Sequence, residues 1–457
     1  MRPIVSPEAW GLHVIPCGEL SIGNHGLVGL ARKYGTPLHV INENRLMKSA
    51  AAFREAAVKS YPGRVSVYYA LKCNSVPAVV DAVLRTGPGL EIMTEYELVL
   101  ALKLGCPPEN IIVNGPCKTD HFLGMCIDAG VRLVIVDSIA ELRALDALSR
   151  ARGIRSDVLL RINPDFTPRG MNRGTATGSR RGCAFGLDLK SGEVGSALAM
   201  IADLPGVRFH GFHIHIGTGV RHPGDYALAL RCLDPLKDAA AREGLRIRIL
   251  DVGGGFASPT TRELRTREFL LYQALGRLPE RRGEEACGTP DAYASAISGA
   301  VMERFGPGEL PDLLFEPGRC IAGAAQFLLL TIHRVKERPG VGRWLIADGG
   351  LSTVTLPTYY EYHEVLLCND VFRSGASRAT IIGPACFAGD VIYRNKLMPD
   401  VHPGEVIAIM DSGAYFTAME SSFGFPHPAI VAVNGAICRM VRMRETFDEM
   451  VGRDVFD

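Results

Sequence analysis

VYYALKCNS (Val67–Ser75) places a single lysine, Lys72, at the end of an aromatic, β-branched run. A lone lysine there is usually a solvated charge, but its amine can also condense with an aldehyde cofactor. EPGR (Glu316–Arg319) joins a carboxylate and a guanidinium beyond another apolar run. The plain reading is an ion pair around a turn. The chemical reading has Glu316 keeping a nearby ring nitrogen protonated and Arg319 gripping a phosphate. DVGGGF (Asp251–Phe256) sets Gly253, Gly254 and Gly255 directly after a strand-like run. Bare backbone N–H groups at such a turn can approach an anion. The motif is not GxGxxG and no acidic residue follows at the dinucleotide spacing, which disfavours NAD.

FHIHIGTG (Phe212–Gly219) carries His213 and His215 two residues apart, so on one face of a strand. No third ligand stands at a suitable spacing, and no metal is expected. His215 reads better as a ring stacked on a planar cofactor, with Thr218 near its phosphate and His213 as a satisfied barrel histidine. GPACFAGD (Gly383–Asp390) holds Cys386 among small residues. A loop thiol can be inert or an accessible proton donor. The twelve cysteines include no CxxC pair, so neither a zinc site nor a disulfide framework is indicated.

These residues need a scaffold that brings distant strand ends together. Eight strand-sized runs alternate with helical patterns: Val65–Leu71, Gly89–Thr94, Ile111–Gly115, Arg132–Asp137, Asp157–Asn163, Val207–Ile216, Arg246–Val252 and Asp312–Phe315. That order predicts an α/β (β/α)8 TIM-like barrel, whose active sites lie at the C-terminal ends of its strands. Lys72, Glu91, Asn114, Arg161, His215, Gly253–Gly255, Glu316 and Arg319 all fall in or just past such runs. A doubly wound sheet ranks second because it does not predict eight such ends. The expected domains are an N-terminal segment 1–44 on or leading into a β domain, a barrel over 45–320, and a mostly β C-terminal domain over 321–457. The polar stretch between Phe256 and Asp312 reads as helices and an excursion near the barrel mouth.

Lys plus Arg number 50 against 49 Asp plus Glu, leaving a formal charge of +1, so nothing in the balance points to nucleic acid or an acidic membrane. The N-terminus lacks a signal-peptide core and no apolar run is long enough to span a bilayer. A cytoplasmic protein is expected.

Taken together and in order, YALKCNS, HIHIGTG, DVGGGF, EPGR, GPACFAGD and GAYFTAMESSFG resemble the fold-type III decarboxylases of diaminopimelate, ornithine and arginine. The resemblance runs from about Thr36 to about Ala436. It implies an alanine racemase-like barrel binding pyridoxal 5′-phosphate, a β domain, and a homodimer with shared active sites. It implies Lys72 as the Schiff-base lysine, His215 as the stacking ring and Glu316 as partner of the pyridine nitrogen. Gly253, Gly254, Gly255, Thr218, Arg319 and Tyr415 become phosphate contacts. Cys386 becomes the proton donor from the second subunit, and Glu91 an acid beside the Schiff base.

The departures bear on the substrate, whose expected contacts are Arg161, Leu356, Tyr360, Glu361, Phe387 and Phe423. Diaminopimelate decarboxylases carry an arginine where this chain has Leu356. They have Glu, and ornithine decarboxylases Asp, where it has Phe387. Both polar anchors are missing, although Glu361 after Tyr360 can still meet a distal amine or hydroxyl. The expected substrate is a small amino-acid-type molecule, conjugated or carrier-bound, such as a siderophore or other secondary-metabolite intermediate. A racemase on the same barrel and a catalytically inactive binding homologue are the alternatives.

Overall fold

A computed structural model describes residues 5–171, 179–276, 278–279, 283–354 and 360–455. The chain divides into two compact units. One comprises Ser49–Ala257 and Cys287–Cys320; the other comprises Met1–Lys48, Ser258–Ala286 and Ile321–Asp457.

The first unit is a barrel of parallel strands: β1 (Val65–Ala70), β2 (Gly89–Ile92), β3 (Ile111–Val113), β4 (Leu133–Val136), β5 (Ser156–Asn163), β6 (Val207–Ile214), β7 (Ile249–Asp251) and β8 (Asp312–Phe315). Each pairs with the next, and β8 returns to β1 through Leu313–Phe315 against Val65–Val67. The middles of these strands are largely apolar because both faces are covered. Tyr68, Ile112, Leu133, Ile135, Leu159, Ile249 and Leu314 form one buried set, and alternate residues such as Val67, Val134, Val158 and Phe315 join a larger one with the helices. Short polar residues start the helices close behind the strands. Thr94, Thr119, Ser138 and Thr289 each accept a hydrogen bond from a backbone N–H two or three residues into their helix, contacts worth about 1 kcal/mol apiece. The eight expected strands and their order are those observed.

The second unit is a mixed sheet. The central strand Gln326–Arg338 pairs with Leu38–Asn42, Gly342–Ala347 and Val406–Ile409. Ala429–Asn434 lies parallel to Leu38–Asn42, so the N-terminal run is part of this sheet. Two further strands, Val391–Pro399 and Ile437–Arg442, stand at the two ends of the sheet's main path. Both mix basic and apolar residues, and the latter is largely exposed.

The excursion after Phe256 corrects an expectation. Residues 258–286 group with the β unit rather than with a continuous barrel over 45–320. Arg262–Glu263 pairs with Glu361–Tyr362, Thr260 donates to Asp411, and Leu264, Tyr272 and Leu278 pack with Leu345, Ile381 and Ile407. Its polar composition hid three core residues. Among the described residues no helix is long and apolar enough to cross a membrane.

Candidate active site

The barrel's strand ends enclose a cavity of about 280 Å³ lined by residues that include Lys72, Glu91, Asn114, Arg161, His215, Thr218 and Glu316. β1 delivers Lys72 through the single turn Leu71–Cys73. The EPGR turn clamps that strand end: Ala70 N–H donates to Pro317 O at 3.2 Å, and a Cβ on Gly318 would sit 2.9 Å from Cys73 Cβ. Only glycine lets the two strand ends approach this closely.

The glycine loop is wedged between β6 and β8. Added Cβ atoms would stand 2.8 Å from His215 Nδ1 at Gly253, 2.2 Å from Glu316 O at Gly254 and 1.8 Å from Gly217 O at Gly255. Gly253 and Gly255 also have φ of +65° and +91°, which side chains resist. Gly253 N–H already donates to Asp251 Oδ1 at 2.9 Å, and Gly254 N–H to His215 Nδ1 at 3.2 Å. The N–H groups of Gly253 and Gly254 thus have protein partners.

Charge is concentrated on the cavity wall. Lys72 Nζ donates to Glu91, which is almost completely buried. Burial pushes the Glu91 carboxyl up to about 7 against the pull of Lys72, with Glu316 raising it further. Burial would raise Glu316 too, but His213 and Lys72 outweigh it and hold this carboxylate ionised. Asn114 Nδ2 donates to Glu316 Oε1 at 3.3 Å, and His213 Nε2 lies 3.5 Å from Glu316 Oε2. Burial, with Arg161 and His213 beside it, pushes His215 down to about 3. A neutral imidazole is what an Nδ1 that accepts from Gly254 requires. Arg161 reaches Asn114 Oδ1 at 3.4 Å, and its guanidinium lies 4.6 Å from the centre of the Phe185 ring. Phe185, Met93 and Pro116 also line the cavity and were not foreseen. They come from loops, where no periodicity marks them.

The pyridoxal-binding-domain model of the pyridoxal-dependent decarboxylases matches residues 47–323. A diaminopimelate decarboxylase of Actinosynnema pretiosum subsp. auranticum is 32% identical over 460 residues, covering 99% of this chain and 97% of the relative. The chain belongs to the pyridoxal-dependent decarboxylases. The enzyme is 28% identical to the diaminopimelate decarboxylase of Methanocaldococcus jannaschii, over 96% of this chain and 95% of that one. The solved structure of a protein so named from M. jannaschii superposes with a TM-score of 0.86 at 27% identity, covering 98% of both chains, and a further structure of it holds L-lysine. This decarboxylase is thus a fold-type III carboxy-lyase that uses pyridoxal phosphate and acts on a small amino-acid substrate. Membership supports decarboxylation rather than racemisation.

The cavity of the decarboxylase fits that cofactor. It joins an amine, an anionic carboxylate and a neutral imidazole, and Glu91 Oε1 is buried without a hydrogen-bond partner. Arg319 is buried as the first residue of the helix Arg319–Ala322.

The remaining expected residues belong to the β unit. Cys386 is exposed on a loop shaped by buried Asp390, whose carboxylate accepts from Leu351 N–H at 2.6 Å and Ala385 N–H at 2.8 Å. Phe387 and Phe423 are both half-exposed. Tyr415 has φ of +69° in a turn, and Tyr360 is partly buried with its carbonyl accepting from Leu264 N–H at 2.7 Å. Glu361 corrects an expectation: it is fully buried and its carboxylate meets His363 Nε2 at 3.1 Å. Its strand pairs with Arg262–Glu263, and its side chain is buried in the core of the β unit. Leu356 lies outside the described residues.

Proposed function

We propose that this enzyme decarboxylates an amino acid whose far end is conjugated, bulky or weakly charged, with Lys72 as the covalent anchor of pyridoxal phosphate. The convergence of Lys72, Glu91, His215 and Glu316 on one cavity supports the reading. When bound, the cofactor supplies an electron-withdrawing ring that accepts the electron pair left by departing CO2. Glu316, anionic and oriented by Asn114 and His213, keeps the ring nitrogen protonated. His215, neutral and fixed by Gly254 N–H, offers its flat face to the ring. Thr218, Arg319 and the N–H of Gly255 hold the phosphate. Glu91 accepts from Lys72 and so keeps the amine aimed into the cavity. Cys386, exposed on its loop, gives the proton to Cα in the site of a second copy of this chain.

Phe387 and Leu356 carry the substrate reading, because neither can neutralise a distal charge. Phe423 extends the apolar surface beside Phe387. Siderophore or carrier-linked intermediates have such far ends. Diaminopimelate itself is the second reading, favoured by the near full-length match to proteins of that name. A screen of CO2 release from free diamino acids and their acylated or citryl conjugates decides between them. Preferred release from a conjugate supports the first, and preferred release from diaminopimelate the second. No release from any, by protein that holds the cofactor, defeats both.

A further inference from the structure

Asp251 closes β7 directly beneath the glycine loop, and neither the anchoring of the cofactor nor the protonation of Cα uses it. The residue is completely buried. Its Oδ1 accepts from Gly253 N–H at 2.9 Å, whereas its Oδ2 is buried with no donor. Facing it are His213 from β6 and Glu316 from β8, each offering an atom to a cluster in which all lie within 4.8 Å of one another. Two carboxyl groups thus meet inside the barrel floor. Ionising both would set two like charges side by side in a buried site, which is costly.

We propose that Asp251 is a positioning residue: it stays protonated and donates from Oδ2 to Glu316, so that the pair shares one proton and one negative charge. The other groups around it agree. Burial pushes the Asp251 carboxyl far up, and Glu316 and then Glu91 push it further, against the single N–H of Gly253. His213 faces the same pair; burial pulls its imidazole down while Glu316 pushes it up. Tyr68 from β1, also pushed up by burial, is a neutral phenol. Lys72 is taken by Glu91. Glu316 is then oriented by three groups, Asn114, His213 and Asp251, and its charge matches one protonated ring nitrogen. The same proton ties the glycine loop to β8, because Asp251 holds Gly253 with one oxygen and Glu316 with the other. The role in catalysis rests on the cofactor reading given above; the shared proton does not.

Infrared spectroscopy of the cofactor-free enzyme at pH 8, with 13C-carboxyl aspartate incorporated, tests the proton directly. A protonated carboxyl band that shifts with the aspartate label and vanishes in Asp251→Asn is expected. Absence of an aspartyl band at pH 8, or its survival in Asp251→Asn, overturns the proposal even if the enzyme binds pyridoxal phosphate as expected. Should Asp251→Asn fail to fold, Asp251→Glu decides instead, because the band should then no longer shift with the aspartate label, and a band that still shifts overturns the proposal. The positioning role is read from the variants with cofactor. Asp251→Asn keeps the donor and should bind pyridoxal phosphate within about three-fold of wild type, with its visible band at the same wavelength. Asp251→Ala removes the donor and should weaken binding about ten-fold or more and shift the band. Equal behaviour of the Asn and Ala variants would overturn the role.

Discussion

Lys72 and Glu91 are joined across adjacent strands, the lysine at the end of β1 and the carboxylate within β2, and the pair forms one wall of the cavity. Glu91 is almost fully buried while the Lys72 side chain is one-third exposed. The pair therefore does not gain what a closed ion pair would, and Glu91 remains pushed up to about 7 by burial.

A pH dependence of stability follows. The carboxyl of Glu91 titrates near its ordinary value of 4.5 in the unfolded chain and near 7 in the folded one. Its contribution is fully present below pH 4.5 and is lost as pH rises through 7. The cofactor-free enzyme should lose up to about 3 kcal/mol from this group between pH 5 and 8. Glu91→Gln should flatten that part of the profile. Urea unfolding of both proteins at several pH values measures it, and parallel profiles would remove Glu91 as the source.

The anchoring role of Lys72 has a simple optical consequence. The purified enzyme with cofactor should show a visible absorbance band that borohydride abolishes. Lys72→Ala should lose at least ~1,000-fold in turnover, because the covalent anchor and its amine go together. It should nevertheless fold, since the side chain is partly exposed and its removal opens no core cavity. A Lys72→Ala protein that keeps a borohydride-sensitive band would move the anchor to another lysine.

Much of this site was legible because barrel strands carry both pattern and punctuation. Apolar runs buried on two faces stand out from the helices between them, and chemistry gathers at their ends, as Lys72 and Glu316 do. Phe185 and Met93 were not legible, because a loop residue reaches a cavity through tertiary packing that no spacing records. Asp251 was visible as a letter in DVGGGF, but its facing Glu316 depends on β7 and β8 lying side by side. Glu361 misled for a related reason. An acidic residue beside an aromatic reads as exposed, yet pairing of Glu361–Tyr362 with Arg262–Glu263 accompanies its complete burial against His363.

Exposure of Cys386 makes a test of shared sites practical. Lys72→Ala and Cys386→Ala should each be nearly inactive alone. Mixed under conditions that exchange subunits, they should recover about a quarter of wild-type activity, because random pairing makes half the dimers hybrids and each hybrid holds one intact site of two. Tagged subunits and light scattering verify the exchange. No recovery despite hybrid dimers would assign Cys386 to its own chain or to no chemistry.

Phe387 and Phe423 stack obliquely, with ring centroids 5.9 Å apart and planes inclined at 54°. Their rings are 51% and 53% exposed as residues, next to the thiol of Cys386, so this apolar surface is available to whatever approaches that thiol. A free ammonium or carboxylate docked against it would lose hydration without a partner, at a cost of several kcal/mol. Free diaminopimelate and ornithine should therefore turn over at least ~100-fold less efficiently, in kcat/KM, than the best conjugate. Phe387→Glu should narrow that gap from both sides, raising kcat/KM for amines while lowering it for the conjugate. Leu356→Arg should help diaminopimelate only slightly while Phe387 stays, because the amine end is still unpaired. Combining the two should exceed the product of the single effects, as expected when both ends of one substrate must be held. Steady-state CO2 release for the four proteins measures all of this. Wild-type turnover of free diaminopimelate above that of every conjugate would show that Phe387 and Leu356 do not set the substrate.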